Sequence, residues 1–447
     1  MALRPLIFVH PPYDYLEDEW ALDKFLSGGV RDVMLGYWTI IDESQGENVY
    51  SYPSLISAHY GGKSVKGRPV PAFHPTAEFY KDIGFIPPDL PKEAEEKAER
   101  FRRSVERTTE KGINIYTFGI SDGSPKWTRN EPPSHRDSVE YTATRLQDYY
   151  LNFSIAGCVL DGPGYGYEIQ PGFGGGGQAF AKLCNCAECR EKAGSMGLDI
   201  EKMNAKLDEL FNLLHGLKKE QVSLFLESQR GMFDAIDLLL EEPIFFDILR
   251  FKTRLIDDQI EPVYRKLKQV DENIIFGICP RLPCFSTMQG CNFRRLSKIT
   301  DLINSKHYLW MAGIDGFKGT IHRYAQTLMD WNPDLDEEII MELIFKIFGF
   351  RMPEGYTLSE YEKPCPREFF QGVVYTESKK MLQRIGDVEK VSPFIGLEHG
   401  GVWLNAQELR YLLEAIEDAG LTRFTYYVFN TITDEIWDVI TDFTPSY

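Results

Sequence analysis

The sequence contains no long hydrophobic run and no excess of basic residues. No apolar stretch in its 447 residues approaches the ~20 residues that a membrane-spanning helix requires. Its formal net charge of −18 repels phosphate backbones and argues against a nucleic-acid partner. These absences exclude a membrane-spanning protein and disfavour a nucleic-acid-binding one, while small neutral or cationic ligands remain open.

Cysteine is scarce, and the N-terminal stretch does not have the form of a secretion signal. Eight cysteines in 447 residues do not make a disulfide framework, so a reducing compartment fits. The opening MALRPLIFVHPP has one Arg, a very short apolar segment ended by prolines and no small-residue cleavage site. We therefore expect a cytoplasmic protein whose first strand starts here, and the sequence leaves a homo-oligomer open.

Nucleotide-binding signatures are also missing, since no G-x-G-x-x-G follows the first strand candidate and no P-loop pattern occurs. Eight short apolar, β-branched or aromatic runs are present instead. They are LIFVHPP (6–12), DVMLGYW (32–38), INIYTFGI (113–120), IAGCVLDG (155–162), NIIFGICPR (273–281), KHYLWMAGIDG (306–316), PFIGLEHGG (393–401) and FTYYVFN (424–430). Amphipathic helical patterns separate most of them, and such alternation favours a buried parallel sheet with helical crossovers.

Eight such units predict an α/β fold of the (β/α)8 TIM-barrel class, formed by residues 1–447 as a single domain. A doubly wound open sheet is the structural alternative. The stretch 190–268 has only helical pattern and predicts a helical insertion between strands 4 and 5. The segment 40–85 is too long for an ordinary loop and predicts a lid or rim element, which makes His74 a candidate ligand-binding residue.

Polar residues end most of the predicted strands, and active sites of such barrels collect at the C-terminal ends of the strands. Side chains alternate along a strand, so Val159 and Asp161 share the inward side of strand 4, and Glu398 shares that of strand 7 with Phe394. The same pattern turns Cys279 and Arg281 of strand 5 inward. The other strand ends carry His10, Asp315 and Asn430, and His399 follows Glu398 with the opposite orientation.

Two carboxyl groups that face each other across a barrel mouth are what cleavage of a glycosidic bond requires. One protonates the departing oxygen, and the other attacks or stabilises the anomeric carbon. Aromatic residues follow the strand ends and could stack on sugar rings, although loop packing explains them equally well. They are Tyr37, Trp38, Trp127, Tyr165, Tyr167 and Trp403.

Three cysteines lie close together in KLCNCAECREK (182–192), where Cys184, Cys186 and Cys189 have the spacing C-x-C-x2-C. Thiolates at this spacing can occupy three corners of a Zn²⁺ tetrahedron. Candidates for the fourth ligand are Cys158, Cys284, Cys291 and His135. We expect a structural zinc that braces a loop, with free thiols or a redox role as alternatives.

A barrel with an acidic residue ending strand 4 and a Glu ending strand 7 resembles the clan A glycoside hydrolases. The C-x-C-x2-C motif shortly after strand 4 is similar to the zinc cluster of the family 42 β-galactosidases. This resemblance implies a retaining glycosidase with Glu398 as nucleophile and no catalytic cofactor. It places the proton donor in LDGPGYGYE, where Asp161 stands at the family's position without the Asn that usually precedes it; Glu168 is the second candidate.

Two other classes of function remain open on the sequence. A metal-dependent lyase or isomerase acting on a sugar or sugar acid would use His10, Asp161, Asp315 and His399 as ligands, or a Schiff-base lysine. The strand pattern assigns no lysine to an inward position. A barrel that binds sugar without catalysis is the third class.

Overall fold

The protein is described by a computed structural model that covers most of the chain. The described residues are 2–9, 14–36, 39–42, 48–49, 65–66, 68–83, 86–119, 136–153, 155–169, 182–228, 232–310, 315–350, 357–361, 363–396 and 404–445. None of the helices in these ranges combines the length and the hydropathy that crossing a bilayer requires.

Eight parallel strands form one sheet, and we number them in chain order. They are β1 Arg4–Val9, β2 Asp32–Gly36, β3 Asn114–Phe118, β4 Gly157–Asp161, β5 Ile275–Cys279, β6 Leu302–Ile303, β7 Phe394–Gly396 and β8 Arg423–Tyr427. Their order across the sheet is β6-β5-β4-β3-β2-β1-β8-β7, so the strands from β1 to β6 follow the chain order, and β8 pairs with both β1 and β7. This is the order expected for a (β/α)8 barrel cut open between β6 and β7.

The two edge strands of this sheet meet through backbone hydrogen bonds. The amide of Ser392 donates to the carbonyl of Ile303 at 3.1 Å, and the amide of Phe394 donates to Ser305 at 2.8 Å. The amide of His307 in turn donates to the carbonyl of Phe394 at 2.8 Å. The sheet therefore curves until its edges join, although this last seam consists of isolated bridges and not of a long ladder.

Seven of the eight strands lie within or next to the predicted runs, but the sixth does not. The sequence predicts a strand over 306–316, whereas the structure has β6 at Leu302–Ile303 and only an isolated bridge at Lys306. The aromatic residues Tyr308 and Trp310 are buried and stack on each other at 3.9 Å between ring centroids. Their strand-like composition reflects packing inside the barrel end, and it moved the predicted strand towards the C-terminus.

Helices alternate with the strands along the chain. They are α1 Glu19–Ser27, α2 Glu95–Glu110, α3 Arg136–Phe153, α4 Ala187–Ser195, α5 Ile200–Leu214, α6 Lys219–Ser228, α7 Met232–Glu241, α8 Ile244–Val270, α9 Pro283–Ser286, α10 Phe293–Leu296, α11 Phe317–Trp331, α12 Glu337–Phe348, α13 Leu358–Tyr361, α14 Arg367–Phe370, α15 Thr376–Ile385, α16 Ala406–Asp418 and α17 Asp434–Phe443. A π-helical turn at Gln371–Tyr375 joins α14 to α15. The stretch 190–268 contains parts of α4 and α8 and all of α5 to α7.

The helix layer follows local sequence signals. In α2 the buried residues Ala98, Phe101, Val105 and Thr108 recur at helical spacing and face the sheet. Helix α16 begins with a capping box, in which Glu408 donates its amide to the Asn405 side chain and accepts the Asn405 amide.

Apolar side chains form two separate cores, one between sheet and helices and one inside the barrel. The inner core consists of Leu6, Phe8, Met34, Tyr116, Phe118, Val159, Cys279, Leu302, Tyr308, Trp310, Phe394 and Val428. Val159, Cys279 and Phe394 belong to it, as the alternation pattern predicts, while Ile278 and Ile395 belong to the outer core. The inward positions of β4, β5 and β7 are therefore established, and they lead to the C-terminal mouth.

After β2 the chain forms two short antiparallel ladders, Thr39–Asp42 with Arg68–Pro71 and Asn48–Val49 with Val65–Lys66. The returning segment is held on α3 by Asp148, which is fully buried. Its carboxylate accepts from the hydroxyl groups of Thr76 at 2.6 Å and Tyr80 at 2.9 Å. This segment lies in the predicted rim element and has a fixed attachment to the barrel.

The barrel seam contains a buried histidine that should make stability depend on pH. Burial lowers the pKa of His307 from 6.5 to about 4, against the opposing effect of the hydrogen bond with the Ser305 carbonyl. His307 is then neutral in the folded protein while the unfolded chain takes up a proton below pH 6.5. Stability therefore falls with decreasing pH between 6.5 and 4, by about 2 kcal/mol at pH 5 for this group.

We expect the substitution His307→Asn to remove this contribution, because its amide keeps a donor near the Ser305 carbonyl and does not titrate. Urea unfolding at pH 7 and pH 5 measures the effect. The free energy of unfolding should fall by about 2 kcal/mol more in the wild type than in the variant over this interval. An equal loss in both proteins would show that His307 is not the group responsible.

Candidate active site

Charged side chains from three neighbouring strands meet at one end of the barrel. Asp161 is the last residue of β4, Arg281 follows β5 by two residues, and Lys306 follows β6 by three. Asp315 joins them from the segment directly before α11. Since the carboxyl ends of parallel strands share one rim, this cluster lies where barrel enzymes hold their active sites.

The ammonium group of Lys306 lies between two carboxylates. Its Nζ is 2.8 Å from Asp161 Oδ1 and 2.7 Å from Asp315 Oδ2. The Lys306 side chain is 6% exposed, that of Asp315 15% and that of Asp161 45%. Burial lowers the pKa of Lys306, but the two carboxylates outweigh burial and raise it above its ordinary value. Lys306 is thus a cation at neutral pH, and Asp161 is the member of the trio that faces solvent.

Asp315 reaches this position with an uncommon backbone conformation. Its φ is 75°, in the left-handed region that residues other than glycine seldom adopt. Aspartate tolerates this region better than most residues. The conformation holds its carboxylate against Lys306 while the chain turns into α11.

Arg281 is a second buried cation of the cluster. Its guanidinium lies 4.9 Å from the ring centroid of Tyr167 and 5.1 Å from that of Phe285, and Nη2 donates to Thr320 Oγ1 at 3.1 Å. Its Nε is 3.8 Å from Asp315 Oδ1, too far for a direct hydrogen bond. Within the described part of the chain, Nε and Nη1 have no hydrogen-bond partner. Both nitrogens are buried, so Arg281 is an incompletely paired cation next to Asp315.

Glu168 is a structural carboxylate and does not lie free at the mouth. Its side chain is 4% exposed, and its oxygens accept from Arg323 Nη2 at 2.6 Å and Arg323 Nε at 3.2 Å. Thr320 Oγ1 also donates to it at 3.0 Å. A proton donor must reach the substrate, whereas the Glu168 carboxylate is buried and held by Arg323 at two points. The sequence-based alternative of Glu168 as the acid is therefore unfavourable.

The structure brings together three of the predicted site residues, Asp161, Arg281 and Asp315. The sequence predicted that Asp315 ends the sixth strand, but in the structure it lies beyond the segment that follows β6. His74 is exposed and pairs with Asp89 at 2.8 Å, and Asn430 lies in the turn Phe429–Thr431 after β8. The remaining candidates lie outside the described residues; they are His10, Tyr37, Trp38, Trp127, Glu398, His399 and Trp403.

Lys306 is not among the residues predicted from the sequence, and it lies three residues beyond β6 and not at an inward strand position. The omission follows from the misplaced sixth strand, which made Lys306 the first residue of a strand instead of a residue beyond its end. The apolar pair Leu302 and Ile303, directly after Asp301, was the signal for the true strand. Thr320 and Arg323, on the first turn and a half of α11, carried no comparable signal.

Two aromatic residues proposed to stack on sugar rings have other partners. Tyr167 is buried and stacks on Phe285 at 5.4 Å, beneath the Arg281 guanidinium. Tyr165 is buried as well, and its ring lies 5.4 Å from the ammonium of Lys252. Both therefore pack the loop after β4, which was the alternative explanation.

The three cysteines of the C-x-C-x2-C motif do come together. The sulfur atoms of Cys184, Cys186 and Cys189 all lie within 4.8 Å of one another. Burial first, and the neighbouring Cys184 second, raise the pKa of the Cys189 thiol. Cys158, Cys284 and Cys291 do not join the group, and His135 lies outside the described residues. Three crowded thiols are a donor set that a divalent cation would stabilise.

No protein-family model matches this chain, and no curated protein matches its sequence. Similar solved structures include a β-galactosidase from the Antarctic haloarchaeon Halorubrum lacusprofundi, with 11% identity and a TM-score of 0.49. That similarity covers 99% of this chain but only 57% of the β-galactosidase. A chitinase from Chromobacterium violaceum has 9% identity, a TM-score of 0.42 and 99% coverage of both chains.

The catalytic domain of a β-amylase from Paenibacillus polymyxa is also similar, with 11% identity and a TM-score of 0.42. The similarity covers 99% of this chain and 97% of that domain. With TM-scores below 0.5, these similarities do not determine what this chain does.

The structural role of Glu168 can be tested by Glu168→Gln. The variant leaves the Arg323 charge buried without its carboxylate, so the free energy of unfolding should fall by about 3 kcal/mol. Glu99→Gln, which breaks an exposed ion pair with Arg102 on α2, is the matched control and should leave stability almost unchanged. Urea unfolding at pH 7 measures both, and equal stability of the two variants would contradict the buried pair.

Proposed function

We propose that this chain is a glycoside hydrolase that cleaves a small oligosaccharide or glycoside with two carboxyl groups at the mouth of its barrel. The main support is Asp161, which ends β4 on the inward side and keeps its side chain 45% exposed while its charged neighbours are buried. A carboxylate in this position can reach a sugar bound at the mouth. Cleavage then requires one second carboxyl group on the other side of the scissile bond.

Glu398 is the second carboxyl group of the proposal, although it lies outside the described residues. The support is the alternation of β7. Phe394 belongs to the inner core, and a Cβ at Gly396 would lie 2.7 Å from Trp310 Cζ3, so this side of the strand faces the packed interior. Glu398 is the next residue with this orientation in the sequence.

The two carboxyl groups divide the reaction between them. One donates a proton to the departing glycosidic oxygen, and the other attacks C1 or activates the water that does. The sequence-based assignment makes Glu398 the nucleophile and Asp161 the proton donor. A separation of about 5–5.5 Å would give retention of configuration, and about 6.5–9.5 Å would give inversion.

The proposed substrate contacts come from the strand ends and the loops that follow them. Arg281 offers buried donors beside this mouth, and Asp315 lies next to it. The other proposed contacts are His10, Tyr37, Trp38, His74, Trp127, His399, Trp403 and Asn430.

A metal-dependent lyase or isomerase receives less support from the described residues. Asp161 and Asp315, two of its four proposed ligands, both contact the Lys306 ammonium group, which competes with a metal cation for their oxygens. Lys306 itself is the residue type that a Schiff-base lyase needs. The two carboxylates raise its pKa, however, and so disfavour the neutral amine that attacks a carbonyl.

The proposed hydrolase can be tested on a panel of 4-nitrophenyl glycosides. We expect Asp161→Asn and Glu398→Gln each to lower turnover by about 10²- to 10⁴-fold, because each removes a carboxyl group from the reaction. Asp208→Asn on the exposed side of α5 and Glu99→Gln on α2 are the matched controls and should keep wild-type rates. Near-normal turnover of Asp161→Asn or of Glu398→Gln would show that the substituted residue is not one of the two catalytic carboxyl groups. Sugar binding without turnover by the wild type would indicate a non-catalytic barrel.

We further propose that Cys184, Cys186 and Cys189 hold one structural Zn²⁺. Zinc–sulfur bonds of about 2.3 Å place the sulfurs of a tetrahedral site roughly 3.8 Å apart, which fits their mutual separation of at most 4.8 Å. The three residues lie at the start of α4, so the metal would fix the loop after β4 to that helix. A fourth ligand is required to complete the tetrahedron.

If the cysteines form a tetrahedral zinc site, elemental analysis of protein purified without chelator should find about one zinc per chain. Cys189→Ser should lose the metal, whereas Cys365→Ser, a buried cysteine outside the motif, should retain it. Thiol titration of the folded wild type should show more reactive cysteines after chelation. A metal-free wild type with three reactive thiols in the motif would contradict the proposal.

A further inference from the structure

We propose that Lys306 is a positioning residue, whose ammonium group holds the Asp161 carboxylate in place at the barrel mouth. Asp161 then acts as the charged member of the catalytic pair and not as the proton donor. The statement about catalysis rests on the proposed glycoside hydrolase function. The statement about the charge of Lys306 does not depend on that function.

The first support is the placement of the three groups. Lys306 Nζ is within hydrogen-bond distance of both Asp161 and Asp315, and its side chain is almost fully buried beneath the more exposed Asp161. An ammonium group at 2.8 Å stabilises a carboxylate relative to the neutral acid. A proton donor needs the opposite environment, one that keeps its carboxyl group neutral.

A second buried lysine of the same chain shows what the carboxylates do. Lys252 donates to the Met288 carbonyl at 3.1 Å, and burial lowers its pKa to about 8. Lys306 is as deeply buried, but the pKa of its ammonium group is raised, because Asp161 and Asp315 more than offset burial. The two buried lysines therefore differ in the direction of their pKa shifts, and the carboxylate partners of Lys306 are the cause.

Other groups that face Lys306 do not change its charge. The buried Cys279 thiol of β5 has its pKa raised by burial, and so it is neutral at ordinary pH. Tyr308, on the segment after β6, is likewise neutral, since burial raises the pKa of its phenol. Arg281 lies next to Asp315 and adds a positive charge, which favours ionised carboxylates in the cluster.

The proposal reverses the roles that the sequence assigned to the two mouth carboxyl groups. The other carboxyl group, Glu398 in the proposed pair, donates its proton to the departing oxygen as the C1–O bond breaks. Asp161 either bonds to C1, or accepts a proton from the water whose oxygen bonds to C1. In both cases Asp161 starts as a carboxylate, and Lys306 stays protonated throughout.

The charge of Lys306 can be measured without any activity, by NMR titration of lysine side chains labelled with ¹³C at Cε and ¹⁵N at Nζ. Lys306 should remain an ammonium group beyond the ~10.4 of free lysine, while Lys252 titrates well below it. In Asp161→Asn and in Asp315→Asn, the Lys306 titration should move to lower pH by about 1–3 units. A wild-type Lys306 that titrates like Lys252 would overturn the bridge.

The role of Asp161 is tested by the leaving group of the substrate. If Asp161 is the charged member, Asp161→Asn should lower kcat/KM by a similar factor for 2,4-dinitrophenyl and phenyl glycosides. If Asp161 is the proton donor, the loss should be small for the dinitrophenyl substrate and much larger for the phenyl substrate, and the proposal falls.

Variants of Lys306 distinguish positioning from general stability. Lys306→Met should lower kcat by up to about 100-fold with little change in KM, because the Asp161 carboxylate loses the ammonium group that fixes its position. Lys306→Arg keeps the charge and should restore part of the rate. If Lys306→Met does not fold, the wild-type titration still tests the charge of Lys306, and the leaving-group comparison still tests the role of Asp161. If no glycoside is hydrolysed, the proposed function fails while the titration still tests the bridge.

Discussion

The arrangement of the barrel mouth depends on one constraint, the need of a buried ammonium group for carboxylate partners. Lys306 follows β6 and is almost fully buried, so it is tolerated as a cation only because Asp161 and Asp315 lie within hydrogen-bond distance. Asp161 comes from the end of β4, and Asp315 from a backbone turn with φ 75°. One side chain thus connects two strands and the start of α11, and fixes which carboxylate faces solvent.

A second, deeper pair of charges serves the architecture instead. Glu168 and Arg323 join the loop after β4 to α11, and Thr320 connects this pair to Arg281. The charges therefore alternate from the mouth into the protein, from Asp161 through Lys306, Asp315 and Arg281 to Glu168 and Arg323. Each charge in this series has a group of opposite sign or a hydroxyl group near it, and Asp161 is its most exposed member.

Much of the fold could be predicted from the sequence because the relevant signals are local. The apolar runs at β1 to β5, β7 and β8 and the helical spacing in α2 record which side of each element is buried. The inward side of β4, β5 and β7 followed from simple alternation and placed Asp161 and Arg281 at the mouth. The sixth strand was misplaced because the aromatic residues Tyr308 and Trp310 resemble a strand in composition while they pack across the barrel end. The burial of Glu168 against Arg323 could not be predicted, because Arg323 lies 155 residues away in the sequence.

The sequence by itself determined the class of fold, the rim on which functional groups collect, and the cysteine motif, since each depends on spacing within a few residues. The tertiary structure decided which of these groups are paired. Whether a carboxylate is free, bridged to Lys306 or buried against Arg323 depends on contacts between distant segments, and burial makes the electrostatic effect of each contact large. The contact of Asp161 with Lys306 is therefore a property of the folded barrel and not of the residues around Asp161 in the chain.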